Sequence, residues 1–258
     1  MESVILVAVL ILGFIAVFNK KHAERELISS ATDLHRGNHS EQRLVLALRK
    51  KGVHPEAIFH DLYLKKRNGS YSQIDLVMAT SVGLIVFEVK DYVGWIFGSG
   101  NSTYWTQVLA YGKEKYRLYN PIIQNRRHIE ELRKVSPQFE RTPMFSVILF
   151  YGDCEFKKLN SIPENVYIIR PNELNRTIDL ITSQNPPANY SNKREIATVL
   201  REAATNGGSE EVQQGHVNYV KAIKDQSGAR DGRISGGFNF NPIPRSVRKT
   251  LRWLRNLR

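Results

Sequence analysis

The chain has 258 residues, with 37 Lys and Arg against 25 Asp and Glu, for a formal net charge of +12. A hydrophobic content of 41% supports a buried core and argues against global disorder, and the length fits one ordinary domain with appendages. A single cysteine, Cys154, excludes an intramolecular disulfide and a cysteine-based zinc site, while the basic excess points to nucleic acid or an anionic leaflet as a partner, with plain solubility as the alternative.

Residues 3–18 (SVILVAVLILGFIAVF) carry no charge. At about 1.5 Å per residue the run covers roughly 24 Å, against roughly 30 Å of hydrocarbon. Lys20, Lys21 and His22 follow it and only Glu2 precedes it. That flank predicts a single-pass membrane anchor over 1–19, with the folded part in the cytoplasm. A cleaved signal peptide wants its basic residues before the run and small residues after it, and a buried core helix wants a polar face, so both fit less well. Residues 20–36 are polar and mixed in charge and read as a juxtamembrane linker with some helix. His35 and His39 are four apart, but Gly37 and Asn38 between them and the lack of a third ligand nearby argue against a metal pair.

Residues 41–51 (EQRLVLALRKK) place Leu44, Val45 and Leu48 on one helical face, with Ser40 as N-cap and Gly52 as the stop. Glu41 then lies in the first turn, where compensating the helix dipole is the simpler account of it from this segment alone. Strand-like runs follow at 57–64 (AIFHDLYL), 74–79 (IDLVMA) and 84–90 (LIVFEVK), the last two forming a hairpin. Leu84, Val86, Glu88 and Lys90 share one face of the last strand, and Ile85, Phe87 and Val89 share the other. Both faces begin apolar, as in a central strand covered on both sides.

Glu88 and Lys90 are therefore out of place on that strand, and folding the hairpin about residue 81 brings Asp75 level with them. Burying such charges is costly unless they pair or bind an ion. The chemistry that wants this trio is metal-assisted phosphodiester hydrolysis: two carboxylates as hard ligands for Mg²⁺, and a lysine to orient water and stabilise developing negative charge. A structural Glu88–Lys90 pair with Asp75 solvated is the alternative.

With these residues in order along the chain, the sequence resembles the nuclease-related domain (NERD) family, a branch of the PD-(D/E)xK nuclease superfamily. The resemblance is carried by Gly37 and Glu41, Ile74-Asp75, Phe87-Glu88-Val89-Lys90 with Gly94 after it, Trp105, and Asn120-Pro121-Ile122-Ile123-Gln124. It covers roughly residues 37–180. It implies an α/β, restriction-endonuclease-like core, a central mixed sheet flanked by helices, with Mg²⁺- (or Mn²⁺-) dependent nuclease activity. It implies Asp75 and Glu88 as metal ligands, Lys90 as the catalytic lysine, Glu41 as the helix-borne acid completing the site, and Gln124 as the polar residue approaching from the next helix.

Asn120-Pro121 is a good helix start, followed by an apolar stripe of Ile122, Ile123, Ile129 and Leu132. Arg126 and Arg127 on this helix either contact phosphates or form a solvated face. Trp95, Tyr104, Trp105, Tyr111, Tyr116 and Tyr119 crowd a stretch that also holds Lys113, Lys115 and Arg117. The mixture suits base stacking and phosphate contact, though covering a sheet is the favoured account. Residues 144–151 and 166–169 read as buried strands, 171–181 as a closing helix, and Cys154 as an incidental small residue beyond a strand end.

The nuclease-like domain is thus expected over 37–183, a helical extension over 184–226, and a flexible linker with a basic tail over 227–258. Residues 228–258 hold eight basic groups and one acidic group, and Val247, Leu251, Leu254 and Leu257 recur at helical spacing. Such an amphipathic tail suits an anionic membrane surface or nucleic-acid phosphates. The reading that joins these parts is a membrane-anchored, metal-dependent nuclease acting on DNA or RNA; the alternative is an inactive nucleic-acid-binding module tethered at the membrane.

Overall fold

A computed structural model describes residues 2–109 and 112–230. Tyr111 and the basic tail at 243–258 lie outside the described residues. The first element, α1 (Glu2–Ser29), is a single helix of 28 residues. Within Ile5–Ser29 an 18-residue window has a mean hydropathy of 1.8 and is unburied, so by length and composition the helix is able to cross a membrane. The helix does not end at the basic flank. It continues through Lys20 to Ser29 and docks on the domain: Lys50 Nζ donates to Glu24 Oε1 at 2.7 Å, Arg49 Nε donates to Ser30 Oγ at 3.0 Å, and Ile28 and Ala31 pack against the core.

Helix α2 (His39–Lys50) begins two residues earlier than its apolar face suggests. Asn38, not Ser40, is its cap: Asn38 Oδ1 accepts from the backbone N–H groups of Ser40 and Glu41 at 2.8 and 3.1 Å. Ser40 is instead buried within the first turn. At the far end Gly52 takes a left-handed φ of +92°, which stops the helix as its sequence position implies.

Five strands form the main sheet in the order β1-β2-β3-β7-β9. They are β1 (Ile58–Lys65), β2 (Tyr71–Thr80), β3 (Gly83–Lys90), β7 (Met144–Phe150) and β9 (Val166–Ile169). The β2–β3 hairpin pairs Thr80 with Gly83 and Leu76 with Phe87, which sets its fold at residues 81–82. β7 runs parallel to β3, and β9 runs parallel to β7. Apolar side chains cover β3 on both sides, as a central strand requires. Ile85, Phe87 and Val89 join Leu44, Val45 and Leu48 of α2, with Leu174, Ile178 and Ile181 of α5 (Leu174–Gln184). Leu84 and Val86 join Leu132 of α3 (Pro121–Arg133), Phe139 of α4 (Pro137–Arg141), and Ile196 and Leu200 of α6 (Lys193–Asn206). A last helix, α7 (Glu210–Arg230), touches β2.

A second sheet, in the order β6-β5-β4-β8, stands beside the first. Its strands are β4 (Gly94–Ser99), β5 (Tyr104–Leu109), β6 (Glu114–Tyr119) and β8 (Cys154–Asn160). The aromatic-rich stretch therefore builds strands. Trp105 is buried, stacks on Phe150 with the rings 4° from parallel, and donates its indole N–H to the Ser99 carbonyl at 3.0 Å. Cys154 opens β8 rather than trailing a strand, and it is buried in the core between the sheets. The whole is a mixed α/β fold, two sheets flanked by helices.

Candidate active site

The charged end of β3 meets the start of α2 and the first turns of α3 at a polar cleft of about 480 Å³. Glu41, Asp75, Glu88, Lys90 and Gln124 all line it, joined by Arg36, Asp61 and Gln73. The five reach the cleft from four local causes. Glu41 comes from the first turn of α2. Asp75 leaves the β2 ladder just where its backbone pairing with β3 ends, and its Oδ2 accepts the Val89 N–H at 2.7 Å in place of a ladder bond. Glu88 and Lys90 follow the alternation of β3. Gln124 comes from the first turn of α3, whose cap Asn120 is locked in place.

Lys90 is the cation at the centre. Its Nζ donates to Glu88 Oε1 in a short ion pair and to Gln124 Oε1 at 3.1 Å. Burial opposes its charge, but Glu88, Tyr92 and Asp75 more than offset that, so its pKa is raised and the ammonium stays charged. Burial likewise pushes Glu88 up, yet Lys90 and His128 hold its pKa below the ordinary value, and the carboxylate is ionised although 0% exposed. Asp75 behaves oppositely. Burial, then the charges of Glu88 and Glu41, push its pKa well up. Glu41 is driven to about 7 by burial and by Asp61, with Glu88 adding to the rise.

Four carboxyl groups thus gather around one lysine and one arginine, and the arginine is already committed: Arg36 Nη2 bonds the Asp61 carbonyl at 2.5 Å and lies 3.4 Å from Asp61 Oδ2. An excess of carboxyl groups over bases in a sheltered cleft, with two oxygen-donor side chains from adjacent strands, suits a hard divalent cation. Among the described residues no three His, Cys, Asp or Glu side chains are grouped closely enough to hold a metal alone. Two carboxylates with water completing the shell is a set that Mg²⁺ accepts.

Residues 36–151 match the family described as nuclease-related domain. Over that segment the chain is similar to a nuclease-related domain. A relative in Bacillus anthracis, an uncharacterized protein, is 27% identical over 163 residues, which make up 63% of this chain and 73% of the relative. No solved structure matches the chain.

The matched segment also contains polar residues around the cleft that the sequence reading passes over. His128 on α3 turns to the sheet, with Nε2 3.3 Å from Glu88 Oε2 and Nδ1 3.2 Å from Ser72 Oγ. His60 on β1 mirrors it, with Nε2 3.4 Å from Glu41 Oε2 and Nδ1 2.9 Å from Thr32 Oγ1. Burial lowers the His60 pKa to about 4, so at neutral pH its contact with Glu41 is that of a neutral ring, not an ion pair. Asp61 sits at a left-handed φ of +51°, unusual for a strand residue, and is held by Arg36 and by Gln73 Nε2 at 2.9 Å. Buried Asn125 ties α3 to β3 and β7 through the Val86 carbonyl and Ser146 Oγ, both at 2.9 Å. The buried face of α3 therefore includes Asn125 and His128, which an apolar stripe alone does not reveal.

Lys113, Lys115, Arg126 and Arg127 do not line the cleft. Lys113 and Lys115 are exposed at and on edge strand β6. Arg126 is exposed and 3.6 Å from Glu130, while Arg127 lies over the Tyr119 ring.

Proposed function

We propose that the nuclease-related domain hydrolyses phosphodiester bonds of DNA or RNA with a divalent cation, Mg²⁺ or Mn²⁺, and that α1 anchors it in a membrane with the domain on the cytoplasmic side. The observation that carries this reading is the convergence of Asp75, Glu88 and Lys90, with Glu41 and Gln124, in one sheltered polar cleft at the end of a hydrophobic strand. Asp75 and Glu88 are the residues that would hold the cation, which when bound supplies Lewis-acid polarisation of a phosphoryl oxygen and an acidified water.

The chain's own groups account for the rest. Hydrolysis joins a water oxygen to phosphorus, breaks the bond to one ester oxygen, and moves one proton from the water to the leaving group's side. Lys90, kept charged by Glu88 and steadied by Gln124, orients the water and opposes the negative charge that grows on the phosphoryl oxygens. Glu41 completes the acidic rim. The basic flank Lys20, Lys21 and His22 after the apolar run favours the cytoplasmic placement.

The test is cleavage of labelled DNA and RNA by the full chain in lipid nanodiscs. Wild type should cut at least one substrate in Mg²⁺ or Mn²⁺, and Glu88→Gln and Lys90→Ala should each reduce the rate by about 100-fold or more, the scale of losing charge stabilisation at the reacting group. Cleavage that survives both changes would refute this site. Absence of cleavage together with salt-sensitive binding would instead favour the tethered binding module.

A further inference from the structure

Glu41 is 4% exposed, and its two oxygens face different neighbours. Asn38 Nδ2 donates to Oε1. Oε2 faces His60 Nε2 at 3.4 Å, and these two buried atoms, without a hydrogen-bond partner of their own, have only each other close by. The ring's other nitrogen, Nδ1, is 2.9 Å from the hydroxyl of Thr32. Thr32 lies three residues beyond the end of α1, before the segment that matches the family.

The chain between Thr32 and Asn38 closes over this pair. Gly37 takes a left-handed φ of +65°, and a Cβ there would lie 2.5 Å from both Glu41 Oε2 and His60 Nε2. Arg36 next to it bonds the backbone and side chain of Asp61, the neighbour of His60. Thr32, Arg36, Gly37 and Asn38 thus all bear on the Glu41–His60 pair from one short stretch.

We infer that residues 32–38 form a positioning clasp, in which the Thr32 hydroxyl donates to His60 Nδ1, fixes the ring proton on Nε2, and so orients the Glu41 carboxylate. The assignment follows from the inventory of donors and acceptors. A neutral imidazole carries one N–H, and the other nitrogen accepts. With the proton on Nε2 the ring donates to the carboxylate and accepts from the threonine. With the proton on Nδ1, once Glu41 is ionised above about pH 7, a lone pair would face the carboxylate across 3.4 Å of buried space, at the cost of two unsatisfied groups, so the assignment holds for the ionised site and is read at pH 8. A hydrogen bond at one ring nitrogen setting the role of the other is a general device for holding a ligand or catalytic group in place. The clasp follows directly on the anchor helix, so the end of α1 docked on α2 is continuous with the site.

This inference rests on the nuclease reading for its catalytic consequence, but not for its geometry, and the experiment separates the two. The full chain in nanodiscs, labelled with ¹⁵N-histidine and with His60 assigned through His60→Gln, reports the ring tautomer directly. Wild type and Thr32→Ser should show the proton on Nε2, whereas Thr32→Val should show a mixture or the Nδ1 form. Thr32→Ala serves if the isostere does not fold. In cleavage assays Thr32→Val should lower kcat about 5- to 20-fold at unchanged KM, and Thr32→Ser should stay within about two-fold of wild type, on the scale of one lost hydrogen bond. A wild-type proton on Nδ1, or a Thr32→Val protein with an unchanged tautomer, overturns the clasp. So does a Thr32→Val kcat within two-fold of wild type when wild type cleaves. If wild type cleaves nothing, the nuclease reading fails and the tautomer alone decides the clasp.

Discussion

Glu41 shows how the cleft holds charge against the interest of the fold. Its carboxyl titrates at about 7 instead of the ordinary 4.5, because it is buried near Asp61 and Glu88, with Lys90 offsetting only part of the effect. The groups around it also include neutral His60 and the cap Asn38. A raised carboxyl pKa means that the folded state keeps a proton which the unfolded state releases. Ionising Glu41 therefore costs nothing below about pH 4.5, and the cost grows to its full size above about pH 7. Glu41→Gln removes this cost. The variant should be more stable than the metal-free wild type by about 1–3 kcal/mol at pH 8, and the difference should vanish near pH 4.5, as read from urea unfolding at each pH. A gain in stability with a loss of cleavage is what a functional acid gives, and a dipole-compensating residue would give neither.

At the level of elements, one buried side chain sets α3 at the cleft. Asn120 is 0% exposed and donates to the carbonyls of Ser99, Gly100 and Ser102 while its Oδ1 accepts from Ile122 N–H. It thereby caps α3 and closes the loop between β4 and β5. Asn120→Ala should cost about 2–4 kcal/mol in urea unfolding, combining a lost cap with buried carbonyls left unpaired. Asn120→Asp should recover only the cap. The sequence made the strands β1, β2, β3, β7 and β9 legible, because each is a run of apolar and β-branched residues bounded by turn signals. It made Asp75, Glu88 and Lys90 legible as well, because a two-residue period and a short hairpin suffice to bring them level. It did not reveal β8, whose CEFKKLN leaves mostly exposed, charged side chains on a sheet edge and is a strand only through parallel pairing with β4. Nor did it reveal His60 and His128. Each meets its carboxylate across tens of residues, through packing of β1 beside α2 and of α3 on β3, and no local spacing encodes that. The cap of α2 moved from Ser40 to Asn38 because the left-handed Gly37 supplies the turn that sets Asn38 extended.

Over the whole molecule, the apolar α1, the docked turn after it and the acidic cleft form one continuous path along the chain. The anchor reading predicts that the full chain stays in the pellet when membranes are extracted with alkaline carbonate. Release into the soluble fraction would remove the membrane from the account and leave the domain untouched. The charge pattern is consistent with a polyanionic substrate, since the chain carries a net +12 while the cleft's own groups are mainly acidic. Basic surface attracts a phosphate backbone over a distance, and the acidic cleft needs a cation before a phosphate approaches it. The central claim is therefore best tested where substrate, cation and carboxylate are all required together: cleavage of labelled DNA and RNA by wild type and Asp75→Asn, each in Mg²⁺ and in EDTA. Cutting by wild type in Mg²⁺ alone, and by the variant in neither condition, is the predicted result. Equal cutting by both proteins, or cutting that persists in EDTA, would contradict it.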